Sequence, residues 1–388
     1  MLRINFEQQP HFEAVVEEFR RQNPDVQVEV TNSPLTFENG SVQSHLRSGE
    51  GADVLLVNSG PARVGMLSEA GLVANLDDTF AEYDITERYS EDVIAQTTAP
   101  DGSVYEVVEG RDIFQLYYHA DVLEAAGVKP PETWDELVAS CKPLAESGVT
   151  PLVVGARNHF AGGWLLGTLV QSAAGQDVMR DVLFGDGAFT QEPIVEGAEK
   201  VTELIDNGCI NGEDALALDH DQAGVAFDEK AGAMMVGTQA TIPGREEDGY
   251  DTGSIEVTPM PSNRPEYEHP TSGLALSWVV NAETQVMPAA QKWLEWVSSE
   301  EYLSLAVEHN TPWAPARLVE DTGGFHPAIA QAVEAVERGT GYNPSVYLPG
   351  TSAEAWYAAV QGLLAQNSDA ATLMGDIEQE LSSNRDAE

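Results

Sequence analysis

The sequence predicts an α/β protein with two lobes, and three observations lead to that fold class. The chain opens with a strand, a helix and a second strand, the repeating unit of α/β folds. Its 388 residues exceed what one ordinary hydrophobic core holds together, so two lobes fit the length. The third observation is an apolar strand, over residues 107–118, that charged residues interrupt.

The opening unit follows from apolar periodicity. Residues 2–6 alternate between polar and apolar side chains as a strand does, and the valines within residues 26–30 repeat that pattern. Between these segments, four apolar side chains fall on one face of a helix: Phe12, Val15, Val16 and Phe19. Asn23 and Pro24 end this helix, which completes a strand, helix and strand unit.

A second predicted strand, at residues 53–57, is a continuous apolar run typical of a parallel strand buried on both faces. Asn58 and Ser59 follow at its carboxyl end, where ligands bind in open α/β sheets. These two residues are therefore candidates for a ligand cleft, although Asn-Ser-Gly is also ordinary turn composition.

The charge interruption occupies residues 109–112, between two apolar segments at 107–108 and 113–118. A strand passing between two lobes would bury its ends in separate cores, while its exposed middle acts as a hinge and presents Arg111 and Asp112 to a cleft. A hairpin with a charged loop explains the same spacing, so both interpretations stay open at this point.

Residues 129–144 predict a linker followed by a capped helix. Pro130 and Pro131 forbid helix, and Thr133 with Glu136 forms a capping box that starts a new one. The apolar side chains that follow lie at helical spacing, so one face of this helix is predicted to be buried.

Residues 101–152 resemble the extracellular solute-binding proteins that serve ABC importers of carbohydrates, the maltose-binding-protein-like group. The resemblance rests on the ordered residues Ala126-Gly127, Pro131, Thr133-Trp134 and Glu136-Leu137. His119 stands where the group usually has Asn, and Val107 or Val108 stands where Pro is usual. Residues 70–77 and 232–239 match two further steps of the group's pattern.

The resemblance implies a two-lobe periplasmic-binding-protein type II fold with discontinuous lobes joined by a hinge. Lobe 1 is expected to comprise residues 1–110 and 274–314, and lobe 2 residues 111–273 and 315–388. The chain would then cross between lobes twice more, near residues 259–273 and 312–317. The implied function is to bind a mono- or oligosaccharide between the lobes and deliver it to membrane permease subunits, without covalent chemistry or a cofactor.

Sugar rings have an apolar C–H face that rests on aromatic rings, and hydroxyl edges that need hydrogen-bonding partners. Alignment with the group's pattern gives candidates of both kinds: Phe6, Glu7, Asn58, Ser59, Arg111, Asp112, His159, Phe160, Trp164, Gln239, Ser272, Gly273, Trp313, Arg317 and Trp356. Trp164 and Trp356 are the two strongest. Gln239 replaces a Trp of the group's pattern, so one stacking platform is expected to be absent there.

Two other functions remain open from the residues. A receptor of the same fold could bind a polyamine, a phosphate ester or a metal. A carbohydrate-active enzyme could use the carboxylate of Glu7 or Asp112, because a glycosidase needs only a pair of acids. The common hydrolase, protease and nucleotide-binding motifs are absent from the sequence. Residues 219–230 begin like a calcium loop but place Ala and Lys at ligand positions, so we expect an ordinary loop there.

Charge and composition limit the partners and the location. The net charge of −45 disfavours a nucleic-acid partner, and a monomer is expected. No apolar run reaches the roughly 18 residues of a membrane helix. No signal segment is visible, and the resemblance implies an extracytoplasmic protein whose signal or lipid-anchored amino terminus is missing from this sequence. For Cys141 and Cys209, two unpaired thiols are the simpler expectation.

Overall fold

The computed structural model describes residues 1–37, 39–49, 51–99, 101–158, 160–317 and 322–385. The chain divides into two compact units, each made of two segments. Unit 1 comprises Met1–Asp112 and Leu274–Val333, and unit 2 comprises Ile113–Gly273 and Glu334–Glu388.

The strands in chain order are β1 (Leu2–Asn5), β2 (Val28–Thr31), β3 (Val54–Asn58), β4 (Val107–His119), β5 (Thr150–Val153), β6 (Gly232–Gly237), β7 (Ile255–Thr258), β8 (Thr271–Val280), β9 (Ala314–Pro315) and β10 (Gly341–Tyr342). The first six residues of β4 belong to unit 1 and the rest to unit 2. Strand β8 likewise begins in unit 2 and ends in unit 1.

The α-helices in chain order are α1 (Phe12–Gln22), α2 (Ser41–Arg47), α3 (Met66–Glu69), α4 (Asp77–Glu82), α5 (Glu91–Thr97), α6 (Ala120–Ala125), α7 (Trp134–Glu146), α8 (Phe160–Phe184), α9 (Glu192–Asp206), α10 (Gly212–Ala217), α11 (His220–Asp228), α12 (Thr241–Glu247), α13 (Met287–Val297), α14 (Glu300–Glu308), α15 (Pro327–Glu337), α16 (Pro344–Tyr347), α17 (Gly350–Leu364) and α18 (Ala370–Arg385). A π-helical turn spans Pro61–Gly65, and short 3₁₀ turns span Ile85–Arg88 and Pro265–Tyr267. No helix within the described residues combines the length and apolar character that crossing a bilayer requires.

The sheet of unit 1 has a parallel core built as the apolar periodicity predicts. Strand β1 pairs in parallel with β2 and with β3, and Ile4 lies opposite both Val30 and Val54. The second half of β8 adds antiparallel to β3, with Val54 opposite Val280. The parallel pairs bring the carboxyl ends of β1 and β3 to the same edge, which positions Glu7 and Asn58 there.

The sheet of unit 2 is mixed. The second half of β4 pairs antiparallel with β6 and with β7, and β5 pairs in parallel with β6. Strand β10 pairs in parallel with the start of β8, where Gly341 lies opposite Thr271. Helix α8 covers this unit's core and packs against α9, α16 and α17.

Each unit has its own hydrophobic core. In unit 1, a chain of edge-to-face aromatic contacts joins α1, β8 and α13: Phe12 to Trp278, Trp278 to Trp293 and Trp293 to Phe19. In unit 2, buried side chains from α7, α8, α9 and α17 form one cluster around Trp134, Leu166 and Trp356. The folding of each unit therefore rests on its own apolar interior.

The predicted break at residues 109–112 is wrong, because β4 is continuous through them. The strand belongs to both units, as the interpretation of a strand passing between two lobes predicts. Glu109 directs its side chain inward, where Trp278 Nε1 donates to one carboxylate oxygen at 2.6 Å and the Tyr302 hydroxyl donates to the other at 2.6 Å. Gly110 and the residue after it pair with β9. A buried carboxylate with both oxygens satisfied does not break a strand, so the hairpin alternative is excluded.

Two further sequence expectations are corrected by the structure. Cys141 and Cys209 are not free thiols but form a disulfide, with their Cα atoms 4.9 Å apart and both residues fully buried. The segment expected to be a loop at 219–230 contains α11, which begins after a capping box. The Asp219 carboxylate accepts from the Gln222 backbone N–H, and the Gln222 side chain accepts from the Asp219 N–H.

Candidate functional site

Unit 2 carries a cluster of four aromatic rings at the start of α8. Trp164 lies 5.2 Å from Phe114, 5.1 Å from Phe160 and 5.2 Å from His220, measured between ring centroids. Phe160 and His220 are 5.4 Å apart, so these three rings close a triangle, with Phe114 buried behind Trp164. Phe160, Trp164 and His220 are each half-buried. We call these four residues the unit 2 aromatic cluster.

Helix α8 sets the positions of Phe160 and Trp164. Residues four apart in an α-helix share one face, so the two rings meet without any contribution from the rest of the fold. The glycines between them let the helix approach α17 closely: a Cβ at Gly162 would lie 2.7 Å from Val360, and one at Gly163 would lie 2.8 Å from Tyr357. Close packing on that side fixes the helix that displays the two rings.

His220 joins the cluster from a different element. It is the first residue of α11, and its backbone N–H donates to Asn158 Oδ1 at 3.3 Å. The preceding Asp219 forms an ion pair with Arg157 in addition to capping the helix. A Cβ at Gly155 would lie 2.2 Å from the Asp219 carbonyl oxygen, so only glycine allows the end of β5 to pass this close to α11. Burial lowers the pKa of His220, which favours the neutral imidazole.

Unit 1 has exposed polar groups at the carboxyl ends of its parallel strands. Glu7, after β1, and Asn58, at the end of β3, are both exposed. Ser59 is 3% exposed, and its hydroxyl donates to Glu106 Oε2 at 2.6 Å, so it supports the strand end rather than facing solvent. Burial raises the pKa of the Glu106 carboxyl.

Trp313 is a half-buried aromatic residue of unit 1 that packs on the segment following β1. Its ring meets His11 edge-on at 5.5 Å and lies 5.9 Å from Phe12, in the turn and helix that follow β1. Phe6 packs beneath, 4.2 Å from Phe12, and is 2% exposed. Of the two predicted aromatic residues in unit 1, only Trp313 therefore offers ring surface.

Other predicted residues serve the architecture. Arg317 donates to the Ser299 carbonyl and lies with its guanidinium 6.0 Å from the centre of the Tyr302 ring. Gln239 is fully buried, and its Oε1 accepts from the Ile113 N–H at 2.9 Å. These contacts tie neighbouring segments of the same unit together.

Three more predicted residues are closed off by packing. Trp356 has no exposed surface, and its indole N–H donates to Ser345 Oγ at 3.1 Å, so it belongs to the core of unit 2 and offers no ring face to a ligand. Ser272 is 5% exposed and lies against Thr340. Gly273 is buried, and a Cβ there would lie 2.4 Å from Val346.

Arg111 and Asp112 are half-buried at the end of the unit 1 part of β4. His159 lies outside the described residues. The structure therefore brings together Phe160 and Trp164 among the predicted residues of unit 2, and it leaves Glu7, Asn58 and Trp313 accessible in unit 1.

His220 is a functional candidate that sequence reasoning missed, and Phe114 is a buried supporting residue that it also missed. The signal for His220 was present, because Asp219 and Gln222 have the spacing of a capping box and place the histidine at a helix start. No sequence signal links it to Trp164, 56 positions earlier, since that contact depends on how α11 packs beside α8.

The sequence is similar to known solute-binding proteins. Residues 5–303 match the family model described as bacterial extracellular solute-binding protein. An uncharacterized ABC transporter extracellular-binding protein of Pyrococcus horikoshii is 22% identical over 75% of the chain, and the match spans 65% of that protein's length.

Two solved structures share the fold over nearly the whole chain. One comes from work on xylan utilization by the thermophilic bacterium Caldanaerobius polysaccharolyticus, with a TM-score of 0.84, 18% identity and coverage of 98% of this chain and 99% of that one. The other is a chitin oligosaccharide binding protein, with a TM-score of 0.82, 17% identity and coverage of 98% of both chains. The predicted fold class, a two-lobe α/β solute-binding protein, is confirmed.

Proposed function

Because the chain belongs to the bacterial extracellular solute-binding protein family, we propose that it binds a mono- or oligosaccharide and delivers it to the membrane permease subunits of an ABC importer. Membership of this family implies an extracytoplasmic location. Proteins of the family are receptors, and we propose that this chain likewise performs no covalent chemistry.

The unit 2 aromatic cluster is the observation that carries the sugar assignment. Phe160 and Trp164 are half-buried, with their inner sides packed and part of each ring open to solvent. The apolar face of a pyranose ring rests on such a platform and removes apolar surface from water on both sides. His220 beside them supplies a neutral polar group for the hydroxyl edge.

Unit 1 has exposed groups of its own that suit a sugar. Glu7 and Asn58 are exposed acceptors and donors for hydroxyl groups, and Trp313 adds a second aromatic surface. We propose in addition that a hinge joins two lobes. Lobe 1 comprises residues 1–110 and 274–314, and lobe 2 comprises residues 111–273 and 315–388. A sugar that binds one conformational state more tightly shifts the population toward that state.

Replacing Trp164 by Ala tests the sugar assignment. Loss of an aromatic anchor should weaken sugar binding at least about tenfold, because such side chains contribute on the order of 1.5 kcal/mol or more. The measurement is isothermal titration calorimetry with maltose, xylotriose, chitotriose and galactose against the wild type and the variant.

Phe184→Ala is the matched control. Phe184 is also an aromatic residue of unit 2 and is 50% exposed, but its ring contacts are with Tyr342 and Tyr347 rather than with the cluster. This control should bind sugar as the wild type does. Equal affinities in all three proteins would refute the placement of the site.

A further inference from the structure

We infer that His220 is a ligand contact, and that its imidazole Nε2 forms a hydrogen bond with one hydroxyl group of the bound sugar. The inference rests on the proposed function, since it names one interaction and one specificity-determining residue within the same site.

The two ring nitrogens of His220 have different surroundings. Nδ1 is shielded from solvent and has no hydrogen-bond partner among the described residues. Nε2 is not shielded in this way, and no hydrogen bond within the described structure occupies it. Nε2 is therefore the nitrogen through which this ring reaches a bound molecule.

The unpartnered Nδ1 also determines the chemical form of the ring. An imidazolium carries a proton on both nitrogens, and a second N–H at Nδ1 would be buried without an acceptor. Burial of the ring lowers the pKa of His220 in the same sense. In the neutral ring with Nδ1 unprotonated, the proton lies on Nε2, so Nε2 donates to a hydroxyl oxygen of the sugar.

The neighbouring charges favour a hydroxyl partner over a carboxylate. Arg157 is already paired with Asp219, and its guanidinium also donates to the Ala217 carbonyl at 3.2 Å. Arg245, whose charge also acts on His220, is likewise paired, with Asp228. Neither pair carries a net charge. Arg157 and Arg245, the described cations named here, are both committed to carboxylates, so they do not favour an anionic sugar.

The position of the imidazole suits contact with a sugar ring that stacks on the indole of Trp164. The planes of His220 and Trp164 meet at 75°, so the imidazole contacts the indole without stacking parallel to it. A sugar ring stacked on the indole carries its hydroxyl groups around its rim, where a side chain standing at the edge meets them. The Asp219 cap and Asn158 hold the backbone of His220 in place. Little conformational entropy is therefore lost at this residue when the sugar binds.

Two variants separate the hydrogen bond from the packing. His220→Phe keeps an aromatic ring against Phe160 and Trp164 but has no hydrogen-bonding atom. His220→Gln keeps a polar group that can both donate and accept. With the sugar of the maltose, xylotriose, chitotriose and galactose panel that binds the wild type best, His220→Phe should bind about threefold to tenfold more weakly, the usual effect of one neutral hydrogen bond. His220→Gln should retain more affinity than His220→Phe.

Mono-deoxy analogues of that same sugar identify the contacted hydroxyl. In the wild type, one analogue should bind about threefold to tenfold more weakly than the parent sugar, and in His220→Phe the same analogue should bind as well as the parent. A purely structural role would leave the discrimination between parent and analogue unchanged in the variant.

The outcomes distinguish this inference from the proposed function. If a sugar binds the wild type and His220→Phe binds it equally well, or if every analogue is discriminated equally by both proteins, the inference is overturned and the proposed function stands. If no sugar of the panel binds the wild type, the proposed function fails and the inference fails with it.

Discussion

Removal of the Cys141–Cys209 disulfide should destabilise unit 2 selectively. The bond joins the middle of α7 to the residue that follows the turn after α9, and both cysteines are fully buried within the core of that unit. The two residues are 68 positions apart, so the bond closes a long loop in the unfolded chain. The double variant Cys141→Ala, Cys209→Ala removes this restraint.

The size of the effect follows from loop closure. For a loop of this length, the entropy removed from the unfolded chain corresponds to about 4 kcal/mol at 25 °C, and measured values for native disulfides usually fall between about 2 and 4 kcal/mol. Without the bond, α7 still packs on β5, and α9 still packs on α8 and α17. The variant should therefore still fold. We expect the free energy of unfolding of unit 2 to fall by about 2 to 4 kcal/mol.

Guanidinium unfolding, followed by tryptophan fluorescence and circular dichroism, measures this change. The transition that belongs to unit 2 should move to lower denaturant, while a separate transition of unit 1 should stay in place. A reductant should shift the unfolding of the wild type and leave the double variant unchanged. Two titratable thiols in the denatured, unreduced wild type would refute the reasoning. So would free energies of unfolding of the wild type and the double variant that agree within about 0.5 kcal/mol.

Two further predictions concern single residues. Gly110→Ala should destabilise the chain by about 1 to 3 kcal/mol, since its Cβ would lie 2.6 Å from Trp313 Cβ. Gly244→Ala, inside α12 with nothing within 4 Å, is the control for thermal unfolding and should not lower stability. Burial lowers the pKa of Lys200 to about 8 from an ordinary value of 10.5, so the folded chain binds fewer protons between these values. The free energy of unfolding should therefore rise with pH across that window, by up to about 3 kcal/mol, relative to Lys200→Met. Parallel pH profiles for the two proteins would contradict the assignment of the pH dependence to Lys200. A loss of stability in Gly244→Ala as large as that in Gly110→Ala would contradict the steric explanation for Gly110.

Much of the fold could be predicted because local patterns decide it. The strand, helix and strand at the amino terminus and the capped helix after Thr133 follow from periodicity and capping, which act over a few residues. The continuity of β4 could not be predicted, because it depends on Trp278 and Tyr302, which are distant in sequence and satisfy the buried Glu109 carboxylate.

The candidate site was only partly predictable for the same reason. Phe160 and Trp164 are neighbours by helical spacing alone, and that pair is accessible in the structure. Trp356 matched the family pattern equally well, yet its exposure depends on how α17 packs against α8, and it is buried there. The disulfide likewise required knowing that α7 and the residue after Gly208 come together in space.

The central claim is that this chain is a sugar receptor, and calorimetric titration of the wild type with product analysis tests it most directly. We expect saturable one-to-one binding of at least one sugar of the panel, a gain in the free energy of unfolding of about 2.7 kcal/mol at 100 times the Kd, and recovery of the sugar unchanged after long incubation. Binding of an amine or a phosphate ester with no response to any sugar would contradict the substrate class. Conversion of the sugar to a product would contradict the assignment as a receptor.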